Sequence, residues 1–414
     1  MVYVINQYNE PLMPTEDHRM VRLLLKNKKA KVVRRTPFTI KLLYPTKKCV
    51  QPVILGVDAG SKTVGLSAST GTKELFAAEL KPRNDVVNNL STRREFRQAR
   101  RNRKTRYRPK RFNNRVYSKH KGWLAPSVEV KIQEHITAIK RICKILPIAK
   151  VIVETAEFDI QLIKAVEAGL PVPVGENYQK GEQKGFYNVR QYVFYRDGYK
   201  CCNCGAHGQG IKLETHHLES RKTGGDAPDN LVTLCSHCHE LVTNGIILSF
   251  KKRKRKSTHD AAFMGIMRKT LIERLHKELT IPVFETKGYI TKYVREEHKL
   301  PKSHTIDALC IAGHPNVQRL NKIYLIKPVR NHNRQLHKAT ILKGGVRKSN
   351  QAATYVNGFR LFDKVLYNNQ ECFIWGRRTR GSMLLRLLDG TKIKDGVGYK
   401  NLKLLEQSSN YLIS

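Results

Sequence analysis

Short apolar runs, each closed by an acid, a glycine or a proline, alternate along this chain with longer stretches in which apolar residues recur every three or four positions. The first pattern predicts buried strands and the second amphipathic helices. VYVI near the start, KVVRRTPFTIKLL, VILGVDAGSKTVGLSAS and KELFAAEL read as strands and turns, the last two runs forming a meander. His18–Lys29, with Leu23, Leu24 and Leu25, reads as a helix after the PLMP turn. Val128, Ile132, Ile136, Ile139, Cys143 and Leu146 keep helical spacing and lead into the strand-like KVIVE. Met264, Met267, Leu271, Leu275 and Leu279 repeat that spacing before the strand IPVFET and the helix SHTIDALCIAG. From about Gly345 the chain breaks into short strands separated by Asn-Asn, Gly and Asp-Gly turns. The order predicts an α/β core with a small α+β cap before it and a small basic β-domain after it. No repeat of solenoid spacing is present.

Charge changes this picture. Lys and Arg number 77 against 34 acids, a formal charge of +43 over 414 residues. Such an excess calls for a polyanionic partner, and nucleic acid is the expected one. It concentrates in STRREFRQARRNRKTRYRPKRFNNR, where Arg93, Arg94, Arg97, Arg100, Arg101, Arg103, Arg106, Arg108, Arg111 and Arg115 are accompanied by a single acid, Glu95. No core can hold that stretch, so it is either a helix lying on phosphates or an arm that folds on binding them. KKRKRK at 251–256 reads as a nuclear address or, preferably, as part of a nucleic-acid channel. Residues 160–185, with Gly169, Pro171, Pro173, Gly175, Gly181 and Gly185, read as a linker. The start has no charged segment followed by an apolar core, and no run of about 18 apolar residues exists. The expectation is a cytoplasmic protein, associated with the nucleoid when on DNA, with no membrane partner.

Two sets of residues carry candidate chemistry. Among nine cysteines, Cys201-x2-Cys204 and Cys235-x2-Cys238 can supply four thiolates to a tetrahedral zinc, although Cys202 leaves the register open. Cys49, Cys143, Cys310 and Cys372 stand apart in apolar surroundings typical of buried thiols, and the whole pattern expects a reducing compartment. The second set is dispersed: Asp58 after ILGV, Glu154 after VIV, and His304 with Asp307 at i and i+3 on a helix. Clustered carboxylates repel unless a cation sits among them, and hard oxygen donors suit magnesium or manganese. His304 can act as base or ligand.

Between the cysteine pairs, LETHHLESRKTGGDAPDNLVTLCSHCHE resembles the HNH nuclease signature. The resemblance implies that His217 is the general base, that His216 and His239 hold a magnesium-type ion, and that Asn230 positions the active-site loop. His216 stands where many relatives carry Asp, and the base and ligand roles of the two adjacent histidines are exchangeable. His237 reads as a surface or DNA-contacting residue. Asp58, Glu154 and Asp307 resemble the three RuvC pieces of the ribonuclease H-like fold.

Together with PLMPTEDHRMVRLLLKNKKAKVVRRTPFTIKLL, the arginine-rich run, NYQKGEQKGFYNVRQYVF and SHTIDALCIAG, these motifs make the chain similar to the transposon-encoded IscB family. The resemblance implies an α/β fold. Its ribonuclease H-like (RuvC) core is split in three, with an inserted zinc-stapled ββα HNH module, an N-terminal α+β cap and a small C-terminal β-domain. It maps a PLMP domain to 1–50, RuvC pieces to 51–90, 123–165 and 247–330, and a bridge helix to 91–122. A linker follows at 166–185, the HNH domain at 186–246, and a domain for target-adjacent motif and RNA at 331–414. It implies an RNA-guided DNA endonuclease, a monomeric ribonucleoprotein carrying a structured guide (ωRNA) and binding duplex DNA beside a short target-adjacent motif. HNH then cuts the guide-paired strand and RuvC the displaced one, with Mg2+ or Mn2+ at both sites and structural Zn2+. The alternative is a guide-independent RuvC-type nuclease acting on branched or transposon-end DNA.

Overall fold

The computed structural model describes residues 1–101, 120, 122–155, 188–219, 228–246, 259–330 and 353–414. The fold is mixed α/β and divides into two compact units, Met1–Ile160 with Phe263–Ser414, and Gln161–Ala262.

The larger unit begins with β1 (Tyr3–Ile5), α1 (His18–Lys26), β2 (Ala30–Arg34) and β3 (Thr39–Leu42), whose strands form a sheet in the order β1-β3-β2. Asp17 caps α1 by accepting the Met20 N–H at 2.8 Å. The helix stops at Lys26, short of the expected Lys29, because Lys28 turns to φ 55° to start the strand. β4 (Val53–Asp58), β5 (Val64–Ser69) and β6 (Glu74–Leu80) form the expected antiparallel meander. α2 (Val86–Arg101) starts ahead of the basic run. α3 (Pro126–Cys143) buries Val128, Ile132, Ile136, Ile139 and Ile142, and β7 (Ile148–Thr155) follows it.

In the smaller unit, α4 (Val189–Arg196) precedes a ββα element made of β8 (Leu213–His217), β9 (Leu231–Cys235) and α5 (Ser236–Thr243). The Asp197 side chain is fully enclosed. It accepts Arg196 Nε at 2.8 Å and the Thr233 hydroxyl at 2.9 Å, which fastens α4 to β9. A buried carboxylate with this many donors stays ionised, and Asp197 is indeed held below the ordinary range: burial opposes the shift, and the bonds from Arg196 and Thr233 outweigh it.

The chain then re-enters the larger unit through α6 (His259–Glu278), β10 (Val283–Lys287), α7 (Gly288–Glu297), α8 (His304–Ile311) and β11 (Tyr324–Pro328). α6 buries Met267, Leu271 and Leu275, and Arg274 grips Glu129 of α3 through two bonds of 2.6 and 2.9 Å. β12 (Lys364–Tyr367), β13 (Gln370–Arg377), β14 (Ser382–Arg386), β15 (Lys392–Gly398) and β16 (Lys403–Glu406) make a five-stranded antiparallel sheet. Its β12–β13 hairpin closes on Asn368 and Asn369 at φ 47° and 60°, the left-handed pair that a two-residue turn requires. β17 (Tyr411–Ile413) leaves that sheet and pairs with β11.

A seven-stranded sheet in the order β10-β7-β4-β5-β6-β11-β17 is the frame of the larger unit. β7 runs parallel to β4, and β10 parallel to β7, so their carboxyl ends meet along one edge of the sheet. Cys310 and Cys372 are buried as expected. Cys49 is not: it is exposed in the strand-free segment before β4, where nothing apolar covers it, and Cys143 is only half-buried.

Candidate functional site

At the carboxyl edge of that sheet, Asp58 ends β4 and Glu154 is its register partner on β7. Neighbouring strands lie about 4.8 Å apart, so the two side chains leave the same face side by side. α8 brings the remaining pair. Ser303 caps it by accepting the Ile306 N–H, and the first turn then presents His304 Nδ1 2.6 Å from Asp58 Oδ2. Asp307, one turn on, accepts Arg295 Nη1 of α7 at 2.6 Å.

This placement needs two glycines. A Cβ on Gly56 would lie 1.9 Å from the Ala308 carbonyl oxygen, and one on Gly65 would lie 1.9 Å from that of His304. Only bare backbone on β4 and β5 lets α8 come this near. α7 starts less tightly but beside the acid itself, since a Cβ on Gly288 would stand 3.0 Å from Glu154 Oε1. Lys131 of α3 braces the loop after Asp58 by donating to the Ser61 carbonyl at 2.7 Å.

The acids sense one another. Glu154 is raised above the ordinary carboxylate range by burial first, while the Thr291 hydroxyl resists; the charges of Asp58 and Asp307 add to the rise and Arg295 opposes it. His304 is raised because its ring is hydrogen-bonded to Asp58. The buried Thr291 hydroxyl next to Glu154 has no partner of normal hydrogen-bond geometry. Oxygen donors under mutual repulsion, with such a hydroxyl beside them, fit a hard divalent cation. Arg295 and His304 already hold Asp307 and Asp58, so an ion there shares or displaces those contacts. Sequence spacing gave no reason to select Arg295 or Thr291. The signal available was their i, i+4 relation on one helix immediately upstream of His304.

In the smaller unit the sulfurs of Cys201, Cys204, Cys235 and Cys238 all lie within 4.8 Å of one another. Cys202 is exposed and outside the cluster, which settles the register. Asn203 Nδ2 donates to Cys238 Sγ at 3.3 Å, and the Cys238 N–H points at Cys235 Sγ as α5 begins. Burial works against the Cys201 thiolate, but surrounding backbone N–H donors bring its pKa down to about 6. Four converging soft donors, one already poised as thiolate, fit a structural zinc. Among the described residues this is the one group of three or more His, Cys, Asp or Glu whose ligand atoms approach so closely. The carboxylates and the imidazoles are gathered more loosely.

β8 and α5 form the second cluster of that unit. Alternation along β8 places Glu214 and His216 on one side and His217 on the other. His239 of α5 closes over the first side, its Nδ1 3.0 Å from Glu214 Oε2 and its ring centroid 5.3 Å from that of His216. Burial, and then the positive forms of His239 and His217, push the His216 pKa down, which leaves a neutral imidazole at neutral pH. Asn230 accepts the Glu219 N–H at 2.7 Å and donates to the Glu219 carbonyl at 3.0 Å, pinning the segment that leaves His217. His237 is exposed. Glu214 lies inside the HNH-like stretch, yet sequence reasoning gave it no role, because an acid two residues before a histidine pair on a strand has no period of its own to mark it.

Of the basic run, Arg93 and Arg94 lie exposed on α2. The side chains of Arg97, Arg100 and Arg101, and all of Arg103, Arg106, Arg108, Arg111 and Arg115, lie outside the described residues, as do the linker at 160–185 and KKRKRK.

Residues 2–181 match the RRXRR protein family, and residues 201–245 match the HNH endonuclease family. No curated protein matches the chain. Among solved structures it is similar to Streptococcus thermophilus Cas9 in complex with the AGAA PAM, at 13% identity and a TM-score of 0.33, over 51% of this chain and 29% of that one. Type II-C Cas9 from Actinomyces naeslundii is matched at 15% identity and a TM-score of 0.14, over 48% and 30%. The chain thus spans less than a third of either, and likenesses this distant leave the chemistry to its own residues.

Proposed function

We propose that the chain is an IscB-like DNA endonuclease, that it is RNA-guided, and that it cuts the two strands of its target at two separate sites; the RRXRR match over 2–181 and the HNH endonuclease match over 201–245 support this. One observation supports this most: Asp58, Glu154 and Asp307, acids from three remote segments, come near one another on the larger unit, while the smaller unit brings Glu214, His216 and His239 together. The strand order β10-β7-β4-β5-β6, an antiparallel meander with two parallel strands added beyond β4, supports a ribonuclease H-like reading of the core. In this reading the core is split as RuvC pieces 51–90, 123–165 and 247–330 around the HNH domain at 186–246.

Divalent ions bound at both sites supply charge neutralisation for phosphodiester hydrolysis. Asp58, Glu154 and Asp307 hold them in the larger unit, and His304, half-exposed against Asp58, accepts the proton of the attacking water. In the smaller unit His216 and His239 are the holding groups and His217 the base. Cys201, Cys204, Cys235 and Cys238 carry structural zinc and keep β8, β9 and α5 in register. The arginines from Arg93 to Arg115 run along guide-RNA phosphates, the sheet β12–β16 lies against the target-adjacent duplex, and base pairing supplies sequence choice. The ribonucleoprotein is a cytoplasmic monomer.

The decisive experiment is strand-resolved cleavage by protein purified with its co-eluting RNA. His217→Ala leaves a nick only in the displaced strand, and Asp58→Ala leaves one only in the guide-paired strand. Loss of both cuts from either single change, with binding intact, overturns the division of labour. Cleavage that is indifferent to the RNA supports a guide-independent nuclease instead.

A further inference from the structure

Glu214 is the one acid of the smaller unit in contact with a residue of the histidine cluster among the contacts described above, and its geometry is informative. The carboxylate is steadied from behind by Lys212 Nζ at 2.8 Å and meets His239 at Nδ1, at 3.0 Å. A neutral imidazole carries one N–H and one lone pair, so a ring that donates through Nδ1 keeps its lone pair on Nε2, at the far side of the ring. The T-shaped approach of the His216 and His239 rings, at 71° and 5.3 Å, sets the two imidazoles at one locus on the same side of β8.

We propose that Glu214 is a positioning residue that fixes His239 as the Nδ1-protonated tautomer, so that His239 Nε2 and His216 together form a paired-imidazole seat for a divalent metal. The inference rests on the reading of the smaller unit as a metal-dependent nuclease. It adds to that reading's division of roles the atom through which His239 binds, Nε2, and the residue that fixes it, Glu214. It also sets a chemical preference. Two imidazole nitrogens favour a borderline ion such as Mn2+ over Mg2+ more strongly than the all-oxygen set Asp58, Glu154 and Asp307 does. Partners of this kind, one bond behind the ligand, change metal affinity because they hold both ring orientation and basicity.

The test uses RNA-free full-length protein carrying Asp58→Asn and Asp307→Asn to silence the other site, with zinc content checked, and Mn2+ titrated by electron paramagnetic resonance. Glu214→Ala weakens Mn2+ binding by about 10- to 100-fold. Glu214→Gln, whose amide oxygen still accepts the Nδ1–H, keeps most of the affinity. In a His239→Asn background, Glu214→Ala has no further effect. Unchanged affinity in Glu214→Ala overturns the proposal alone. So does an equal loss with or without His239, which makes Glu214 itself the ligand. If His216→Ala and His239→Ala each leave Mn2+ binding intact, the metal-site reading falls and the proposal with it. Unaltered zinc stoichiometry and thermal unfolding of Glu214→Gln separate these outcomes from loss of fold.

Discussion

In the smaller unit, everything that gathers on one spot comes from residues 201–239, whereas the carboxylate site draws on segments from Asp58 to Asp307. The short-range unit brings four sulfurs within 4.8 Å of one another, a donor set that fits a structural zinc. The long-range site has no such clasp. Its acids are held by strand register, by a helix pressed onto two glycines, and by two basic side chains, Arg295 and His304. The difference teaches where each is vulnerable. A small unit with little core depends on its metal, while a site on a large sheet depends on packing spread over the unit.

The sharpest way to break the comparison is Cys235→Ser. A structural zinc on these four sulfurs is worth about 10 kcal/mol or more in full, so weakening it by one thiolate should unfold the smaller unit while the larger persists. Limited proteolysis with zinc analysis reads this directly, and strand-resolved cleavage should show the cut proposed for the smaller unit gone and the other retained. A folded, metal-free unit would show that zinc is not its clasp.

Gly65→Ala is the counterpart in the larger unit. Its methyl would fall on the His304 carbonyl, so α8 must move, at a cost of about 3 kcal/mol or more. Thermal unfolding should drop and the cut proposed for the larger unit should fail, with the zinc content of the protein unchanged. Wild-type stability would show that α8 is not held by this contact.

Arg295→Met tests the cation instead of the packing. Arg295 and Asp307 are both largely enclosed, with side chains 11% and 13% exposed, and leaving the acid without its partner should cost about 2 kcal/mol. Chemical denaturation measures that loss. Ser303→Ala removes only the cap of α8 and should cost about 1 kcal/mol by the same measurement.

The smallest effect concerns pH. Glu154 is raised above its ordinary value of 4.5, by burial first and then by Asp58 and Asp307, so the folded chain holds that proton more tightly than the unfolded one. Its contribution to stability is full below the unfolded value and declines as pH rises through the folded one. Metal-free Glu154→Gln should therefore melt slightly higher than the parent at neutral pH, and the gain should vanish below about pH 4. No gain at neutral pH would mean that the acids do not strain one another.

Much of this was legible beforehand because it is local. Alternating apolar runs marked the strands ending near Asp58 and Glu154, CxxC spacing marked the sulfur cluster, and Asn-Asn marked the hairpin at Asn368. Cys49 was misread since an apolar neighbour in sequence is no guarantee of a cover in space. A helix over 18–29 overruns because the left-handed turn falls on Lys28, one residue after the capping Asn27, and a lysine in that conformation has no propensity to announce it.

The sequence by itself determined which residues carry chemistry and which segments form strands and helices, since both follow from side-chain type and from periods of two or 3.6 residues. Only the tertiary structure decided that Glu154 lies beside Asp58 in register, that Arg295 takes Asp307, that Glu214 takes His239, and that β17 leaves the last sheet to join β11. Each of those pairings is a choice among many acceptors or strand edges of equal intrinsic affinity. It is made by the free energy of packing the whole unit, which no short window of residues contains.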